Sequence, residues 1–462
     1  MNVVDELKKN LGSSILLDEI DRITYSSDAS YFKGGVPKAV VLPYNTNEVS
    51  KIMSICNKYS NNVVVRGGGT SLTGASVPDT NSIVMSLMRM NRIYEINPQD
   101  SYVETEAGVR LDELNKELSK IGFMYPPDPG SSIAATVGGS ISTNAGGLRG
   151  ATYGSTKNWV LGLEVVLPNG DVIRTGGKTL KRSAGYDLTS LFIGSEGTLG
   201  VITKAYLKIV PKPEKVGRIM IYYDSIEKAS QAIGKLKSNG IIPLIAEFMD
   251  KIAIDSISNR SKFELNKDAK FLIIIDISST AESIERKLKE AIDILKSTEP
   301  IQIIVTQNEQ EMQEIYKLRK GLYAAELDQR SSNKEHIVIA DIVVPPSRLP
   351  EALGRINELI SANNFKVSLF GHIGDGNIHA NIFYNQDDSS IQKKINNFMM
   401  EFGKIALSLD GSVSAEHGIG LEKKELLLEE MKHYNSERNI EIMKGIKAII
   451  DPKGILNGGK IF

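Results

Sequence analysis

The sequence predicts an α+β protein of two domains with a C-terminal return segment, and three observations carry that prediction. The chain has 462 residues, more than one core ordinarily organises. Residues 1–215 are dense in glycine, with short strand-like runs between the glycine clusters. From residue 216 amphipathic helical stretches alternate with β-branched runs across short connections, which reads as strand–helix–strand units in a ferredoxin-like cap with a large antiparallel sheet. The expected segments are 1–215, 216–410 and 411–462, the last packing back on the first and completing the functional site.

The elements follow in order. "KAVVLPY" (Lys38–Tyr44) and "NNVVVRGGGT" (Asn61–Thr70) read as strands. Between them "TNEVSKIMSICNKYS" reads as a helix capped by Thr46, with Val49, Ile52, Met53 and Cys56 on one face. "LEVVLPNGDVIRT" reads as a hairpin with Asn169–Gly170 at its tip, and "PKPEK" (Pro211–Lys215) as a linker. In the second half "GRIMIYY", "IIPLIAEFM", "FLIIIDI", "IQIIVT", "HIVIADIVV", "KVSLFGHI" and "NIHANIFY" read as strands. The helices between them are "SIEKASQAIGKLKSNG", closed by Gly240, then "ESIERKLKEAIDILKS", one long helix "NEQEMQEIYKLRKGLYAAEL", and "SRLPEALGRINELISANN".

Composition narrows the classes of function. Lys plus Arg is 55 and Asp plus Glu is 56, a net charge of -1, which argues against a nucleic-acid partner. Cys56 is the single cysteine, so no disulfide forms within one chain and a reducing, cytoplasmic setting is expected. The start "MNVVDELKKNLGSSILLDEI" has early acids and no long apolar stretch, so no signal peptide is expected. Apolar runs such as "FLIII" are too short to span a bilayer, which leaves peripheral attachment to a membrane open.

Three glycine-rich loops stand out. "VVVRGGGTSLTGASVP" follows a strand, and successive glycines let backbone N–H groups point into one concavity suited to a pyrophosphate. It has neither the spacing of a P-loop nor G-x-G-x-x-G opening a helix. "PPDPGSSIAATVGGSISTNAGG" (Pro126–Gly147) and "GSEGTLGVIT" (Gly194–Thr203) are two more loops of small and hydroxylated residues. Three such loops in one domain favour a large extended ligand over three unrelated turns.

The order and wording of these loops resemble the FAD-binding domain of the vanillyl-alcohol oxidase superfamily, also called the PCMH-type. The closer resemblance is to the FAD-linked D-2-hydroxyacid dehydrogenases: the FAD-carrying polypeptide of glycolate oxidase, D-lactate dehydrogenase and D-2-hydroxyglutarate dehydrogenase. It extends from about Lys38 to "DPKGILNGGKIF" at the C-terminus. The resemblance implies an FAD-binding domain of two α/β subdomains. It implies that Arg66, Gly67, Gly68, Gly69, Thr70 and Ser71 wrap the FAD pyrophosphate, and it places Pro127, Asp128, Thr136, Gly138, Gly139 and Thr143 along the cofactor. Glu196, Val201 and Ile202 would lie nearer the adenosine half. Asn457 would return to the flavin region, against the alternative of a plain Asn-Gly turn. Covalent members of the superfamily often carry histidine one place after R-x-G-G, and that place is Thr70 here, so noncovalent FAD is expected.

The stretch "GHIGDGNIHAN" sets His372 and His379 either side of Asp375–Gly376, in a chain with 5 histidines. If Asp375–Gly376 is a two-residue turn, His372 faces His379 and the two imidazoles converge on one ion. The alternative is a hydrogen-bonded structural pair. "GSVSAEHGIGLEKK" adds Glu416 and His417, whose side chains point in different directions outside a helix. Two imidazoles and a carboxylate leave open coordination positions that Zn²⁺, Fe²⁺ or Mn²⁺ accept. The resemblance implies that His372, His379 and Glu416 are ligands of a divalent metal, zinc foremost, and that His417 is the general base.

Arg319, in "IYKLRKGLYAAEL", is either a solvated helix arginine or, as the resemblance implies, the cation that grips a substrate carboxylate. Tyr323, one turn on, shares its face, and Asn381, two residues after His379, matches a substrate-contacting position. One departure concerns the substrate. Where 2-hydroxyglutarate enzymes carry a lysine for the distal carboxylate, this chain has Ile339, which would not compensate a second desolvated carboxylate. The expected reaction is metal-assisted oxidation of a small D-2-hydroxy acid, D-lactate before glycolate, with His417 as base and hydride transfer to flavin N5. The alternatives are the FAD-carrying component of a multi-subunit glycolate oxidase and a D-2-hydroxyglutarate dehydrogenase. The electron acceptor would be a quinone, cytochrome, flavoprotein or oxygen, and a homodimer is compatible.

Overall fold

A computed structural model describes residues 2–385, 387 and 390–462. The chain forms two compact units. The first comprises 1–146, 155–212 and 416–462, and the second 147–154 and 213–415. The N-terminal segment is therefore not continuous. Residues 147–154 belong to the second unit, where Leu148 and Tyr153 lie against Leu244, Ile245, Val216 and Tyr316. These are apolar residues that an exposed loop would leave in water.

In the first unit the strands are β1 (Ile15–Leu16), β2 (Ala39–Val41), β3 (Val63–Arg66), β4 (Ile83–Ser86), β5 (Ile93–Asn97), β6 (Tyr102–Glu106), β7 (Phe123–Met124), β8 (Val160–Val166), β9 (Val172–Gly176), β10 (Val201–Lys208) and β11 (Val210–Pro211). One sheet has the order β1-β2-β4-β3, with β2 and β3 each parallel to β4. The helix Thr46–Lys58 makes the crossover and buries Val49, Ile52, Met53 and Cys56 as its periodicity predicts. Its cap is Asn45, not Thr46: Asn45 has the extended backbone a cap needs and its side chain accepts the Glu48 N–H. Thr46 sits one place inside and donates to Glu164 Oε1 at 2.7 Å.

A second sheet has the order β5-β6-β10-β8-β9, all antiparallel. The β8–β9 hairpin turns through Pro168–Asn169, and Gly170 follows at φ +94, a left-handed position glycine adopts without strain. The expected linker is shorter than its five residues, because Val210–Pro211 pair with β7 and Lys215 already opens the next strand. The C-terminal segment returns to β3, where Val63 N donates to Ile455 O at 2.7 Å and Asn457 N to Val63 O at 2.8 Å.

In the second unit the strands are β12 (Lys215–Tyr223), β13 (Ile245–Asp250), β14 (Phe271–Ser279), β15 (Gln302–Thr306), β16 (Glu335–Val343), β17 (Lys366–Gly371) and β18 (Asn377–Asn385). They form one antiparallel sheet in the order β15-β12-β14-β13-β17-β18-β16, so all seven second-half strands fall in the large sheet that the sequence predicts. The helices Ile226–Ser238, Ile284–Lys296, Leu349–Asn363 and Ile391–Leu407 lie side by side as one layer. On the other face Met249, Leu272, Ile274 and Phe370 form a core with Ile254, Ile315, Leu322 and Ala325 from helices Lys251–Ser258, Glu309–Lys320 and Leu322–Leu327. The expected single helix over the Arg319 region is broken at Gly321, because a residue without Cβ weakens the helix where it occurs.

Candidate functional site

In the first unit the glycine loop after β3 fits closely against the loop after Pro126. A Cβ on Gly67 would lie 2.3 Å from Thr136 Oγ1, and one on Gly68 2.0 Å from Ala134 O. Gly69 has φ +69. The loop therefore needs glycine at all three places, and what it presents is bare backbone. The Arg66 side chain folds back against Gly69, with Nη1 donating to Ser27 O at 2.6 Å, and burial lowers its pKa. Thr70 carries neither imidazole nor thiol. Ser71 Oγ accepts from Thr73 N and Ala75 N at 3.3 and 3.1 Å, fixing the next turn.

Thr136 caps the short helix Val137–Thr143, its hydroxyl accepting from Gly139 N at 3.2 Å. Gly138 lies directly on Ala107, and Thr143 Oγ1 bonds back to Gly139 O. Pro127 and Asp128 are buried ahead of this helix. Val201 and Ile202 begin β10 opposite Val166 and Val165.

Asn457 combines a turn with a buried amide. Its φ is +45, as in a turn, and its buried amide donates to Ala75 O at 2.9 Å and Glu196 O at 2.6 Å. It thereby ties the C-terminal tail to two of the glycine-rich loops. Its Oδ1 is buried with no hydrogen-bond partner among the described residues, an acceptor a polar ligand would satisfy. These features, backbone-lined loops and an orphaned buried acceptor, fit a dinucleotide cofactor such as FAD.

The Glu196 side chain is committed to another loop. Its carboxylate accepts the N–H groups of Ile419 and Gly420 at 2.7 and 2.8 Å, and burial pushes its pKa up to about 7 despite those bonds. A side chain so committed holds the loop after His417 and leaves only its backbone for a ligand. His417 is further fixed by Thr73 Oγ1, which donates to its carbonyl at 3.3 Å. Glu416 Oε1 lies 3.9 Å from His417 Nε2.

In the second unit the site grows from one face of the sheet. Directly opposed residues of antiparallel strands share a face. The β17–β18 register sets Phe370 opposite His379 and Ser368 opposite Asn381. His372 therefore does not face His379, and the connection is not a two-residue turn. It runs through residues 372–376, with His372 O accepting from both Asp375 N and Asn377 N at 3.2 Å.

The register is fixed from the other side. Strand β16 sets Asp341 opposite His379 and Ile339 opposite Asn381, and Asn377 Nδ2 donates to Asp341 Oδ1 at 2.7 Å and Ile342 O at 2.8 Å. His372 still reaches its partner diagonally: the two rings are 5.3 Å apart and edge-to-face.

Each imidazole turns its Nδ1 edge to a carboxylate. His372 Nδ1 lies 2.6 Å from Glu247 Oε1, and His379 Nδ1 lies 3.5 Å from Asp341 Oδ1. Glu247 Oε2 in turn lies 2.6 Å from Arg319 Nη2, and the Arg319 guanidinium stacks over Phe370 at 4.9 Å. Arg319 is thus 7% exposed, not a solvated helix residue. Its Nε is buried with no hydrogen-bond partner among the described residues. Asn381 donates to Glu326, whose pKa burial raises. Tyr323 is 37% exposed, the most open of these side chains. Ala415, the last residue of this unit, donates its N–H to Asp341 Oδ2 at 2.9 Å, and Glu416 is the next residue along the chain.

Sequence reasoning did not single out Glu247, Asp341 or Glu326 as site residues. The first two had a signal, an acid isolated within the apolar runs "LIAEFM" and "VIADIVV". Such a residue is costly on a buried strand unless something pairs with it. Donor chemistry at the two histidines fits a divalent ion, since imidazole ligands commonly have the second nitrogen fixed by a carboxylate.

Comparison with known proteins agrees with this architecture. Residues 37–176 match the family model "FAD binding domain", and residues 212–461 match "FAD linked oxidases, C-terminal domain". The chain is 36% identical over 441 residues to glycolate oxidase subunit GlcD of Bacillus subtilis, covering 96% of this chain and 92% of that one. It is 35% identical over 425 residues to a D-lactate dehydrogenase of Archaeoglobus fulgidus, covering 91% and 90%. The fold is shared with 4-ethylphenol oxidase from Gulosibacter chungangensis, with a TM-score of 0.81, 19% identity, and coverage of 99% and 96%. The chain therefore belongs to the FAD-linked oxidases and is an FAD-dependent oxidoreductase.

Proposed function

We propose that this oxidoreductase converts a small D-2-hydroxy acid, D-lactate before glycolate, to the 2-oxo acid. Noncovalent FAD supplies the hydride acceptor that no side chain can provide. His372, His379 and Glu416 would hold a divalent metal, zinc before iron or manganese, which would supply Lewis acidity towards the hydroxyl. His417 takes the hydroxyl proton on its imidazole, a group whose ordinary pKa of about 6.5 suits proton transfer near neutral pH. Arg319 holds the substrate carboxylate, and Tyr323 and Asn381 line the pocket.

The observation that carries the reading is the shared sheet face of the second unit. There a buried arginine with an unengaged Nε lies beside two imidazoles whose Nδ1 edges are already turned to carboxylates. A cation for a carboxylate next to a pair of metal donors is what a chelating 2-hydroxy acid requires. The names of the relatives, a glycolate oxidase subunit and a D-lactate dehydrogenase, support the substrate class. Ile339, opposite Asn381, offers no cation to a second carboxylate, which favours a monocarboxylate.

The test is anaerobic titration of the flavin absorbance with a panel of D- and L-2-hydroxy acids. The expected result is bleaching by D-lactate at lower concentration than by glycolate, with D-2-hydroxyglutarate and the L-acids weak. No bleaching by any of them would overturn the reading, and preferential bleaching by D-2-hydroxyglutarate would overturn its substrate. Acid precipitation should leave the yellow colour in the supernatant; a yellow pellet would contradict noncovalent FAD.

A further inference from the structure

Glu247 is 1% exposed on a strand whose other residues, save the terminal Asp250, are apolar. A buried carboxylate is tolerated only when its charge is matched, and Arg319 alone would match it. A merely structural ion pair leaves unexplained why the second oxygen meets His372 at 2.6 Å. Register explains how it comes there. The β13–β17 pairing sets Met249 opposite Phe370 and Phe248 opposite Gly371, so one further step brings Glu247 level with His372, just past the end of β17.

We propose, resting on the metal-assisted reading above, that Glu247 is a positioning residue joining the metal ligand His372 to the substrate cation Arg319, one carboxylate oxygen for each. Oε1 accepts the His372 Nδ1–H, which fixes the tautomer and assigns Nε2 as the metal donor. Oε2 forms an ion pair with Nη2 of Arg319 at 2.6 Å; Nε and Nη2 are both buried with no hydrogen-bond partner among the described residues, and they form the edge offered to the substrate carboxylate. Asp341 faces His379 across a longer gap of 3.5 Å, and its carboxylate accepts from Asn377 and Ala415. The two carboxylates should therefore differ in one measurable respect. Both support the metal, and only Glu247 also supports substrate binding.

The experiment uses the FAD-loaded chain. The zinc dissociation constant is measured by competition with a chromophoric chelator, and KM for D-lactate is measured by dye reduction at saturating zinc. Glu247→Gln should weaken zinc binding by about 10–100-fold and raise KM by roughly tenfold or more, the loss of a charge-assisted contact. Asp341→Asn should weaken zinc comparably, with KM at saturating zinc kept within about twofold. Should Glu247→Gln fail to fold, Glu247→Asp keeps the charge but falls one methylene short of spanning both partners, and the same double effect is expected. Unchanged zinc affinity, or an unchanged KM, in a folded Glu247 variant would overturn the proposal while the parent reading stands. Wild-type protein that binds no zinc, iron or manganese would overturn both.

Discussion

His417 follows Glu416 directly, and backbone bonds hold the loop that carries it. Thr73 holds its carbonyl, and Glu196 holds the two amides that follow Gly418. A side chain held through its neighbours' backbone can be shortened without dislodging the loop. His417→Ala should therefore slow flavin reduction by D-lactate by roughly 10²–10⁴, the range for loss of a general base, while FAD and metal content stay at wild-type stoichiometry. Loss of metal from the variant would make His417 a ligand and exchange its role with that of Glu416. At this scale the sequence was uneven. The glycines were legible because each has a conformational duty that no other residue performs, and the contacts at Gly67 and Gly68 bear that out. The histidines were legible because they are few and clustered. Glu247 was not, because its meaning lies in a β13–β17 register and an arginine on a distant helix, neither of which a local pattern encodes.

The connection between β17 and β18 shows why an element can be right while its register is wrong. "KVSLFGHI" and "NIHANIFY" alternate as strands should, and they pair antiparallel. Asp375–Gly376 looks like a two-residue turn only in isolation. Pairing of β18 with β16, and the Asn377 amide bound to Asp341 and Ile342, set a longer connection. His379 thereby comes opposite Phe370, and His372 is carried onto the adjacent diagonal. Gly376 makes this connection possible. Its φ is +93, and a Cβ there would lie 1.9 Å from Val344 O, a backbone atom that cannot swing aside. Gly376→Ala should cost about 1–3 kcal/mol from the strained φ alone and more from the clash, seen as a lower Tm. It should also weaken zinc binding in folded protein, because the same five residues aim His372. A variant with wild-type Tm would show that the left-handed conformation is not required.

Each unit of the molecule encloses a carboxyl group whose pKa burial raises: Glu196 in the first, up to about 7, and Glu326 in the second, in the same direction. In the unfolded chain such a group titrates near 4.3. Below that pH both states bind the proton and the contribution to stability is constant. As pH rises from about 4.3 through about 7, the unfolded chain releases a proton that the folded chain still holds for Glu196. The stability this group confers at low pH is lost across that window. The two units can be followed separately because the one tryptophan of the chain, Trp159, lies in the first. The Trp159-monitored unfolding midpoint of the FAD-loaded protein should therefore decline between pH 5 and pH 8. Glu196→Gln, which cannot ionise and keeps an oxygen for the Ile419 or Gly420 amide, should flatten that decline. Glu326→Gln should act instead on the part of the far-UV transition that Trp159 does not report, since multi-domain chains need not unfold in one step. A Trp159 midpoint with the same pH slope in wild type and Glu196→Gln would mean that Glu196 is ionised in the folded protein, with the Ile419 and Gly420 amides outweighing its burial.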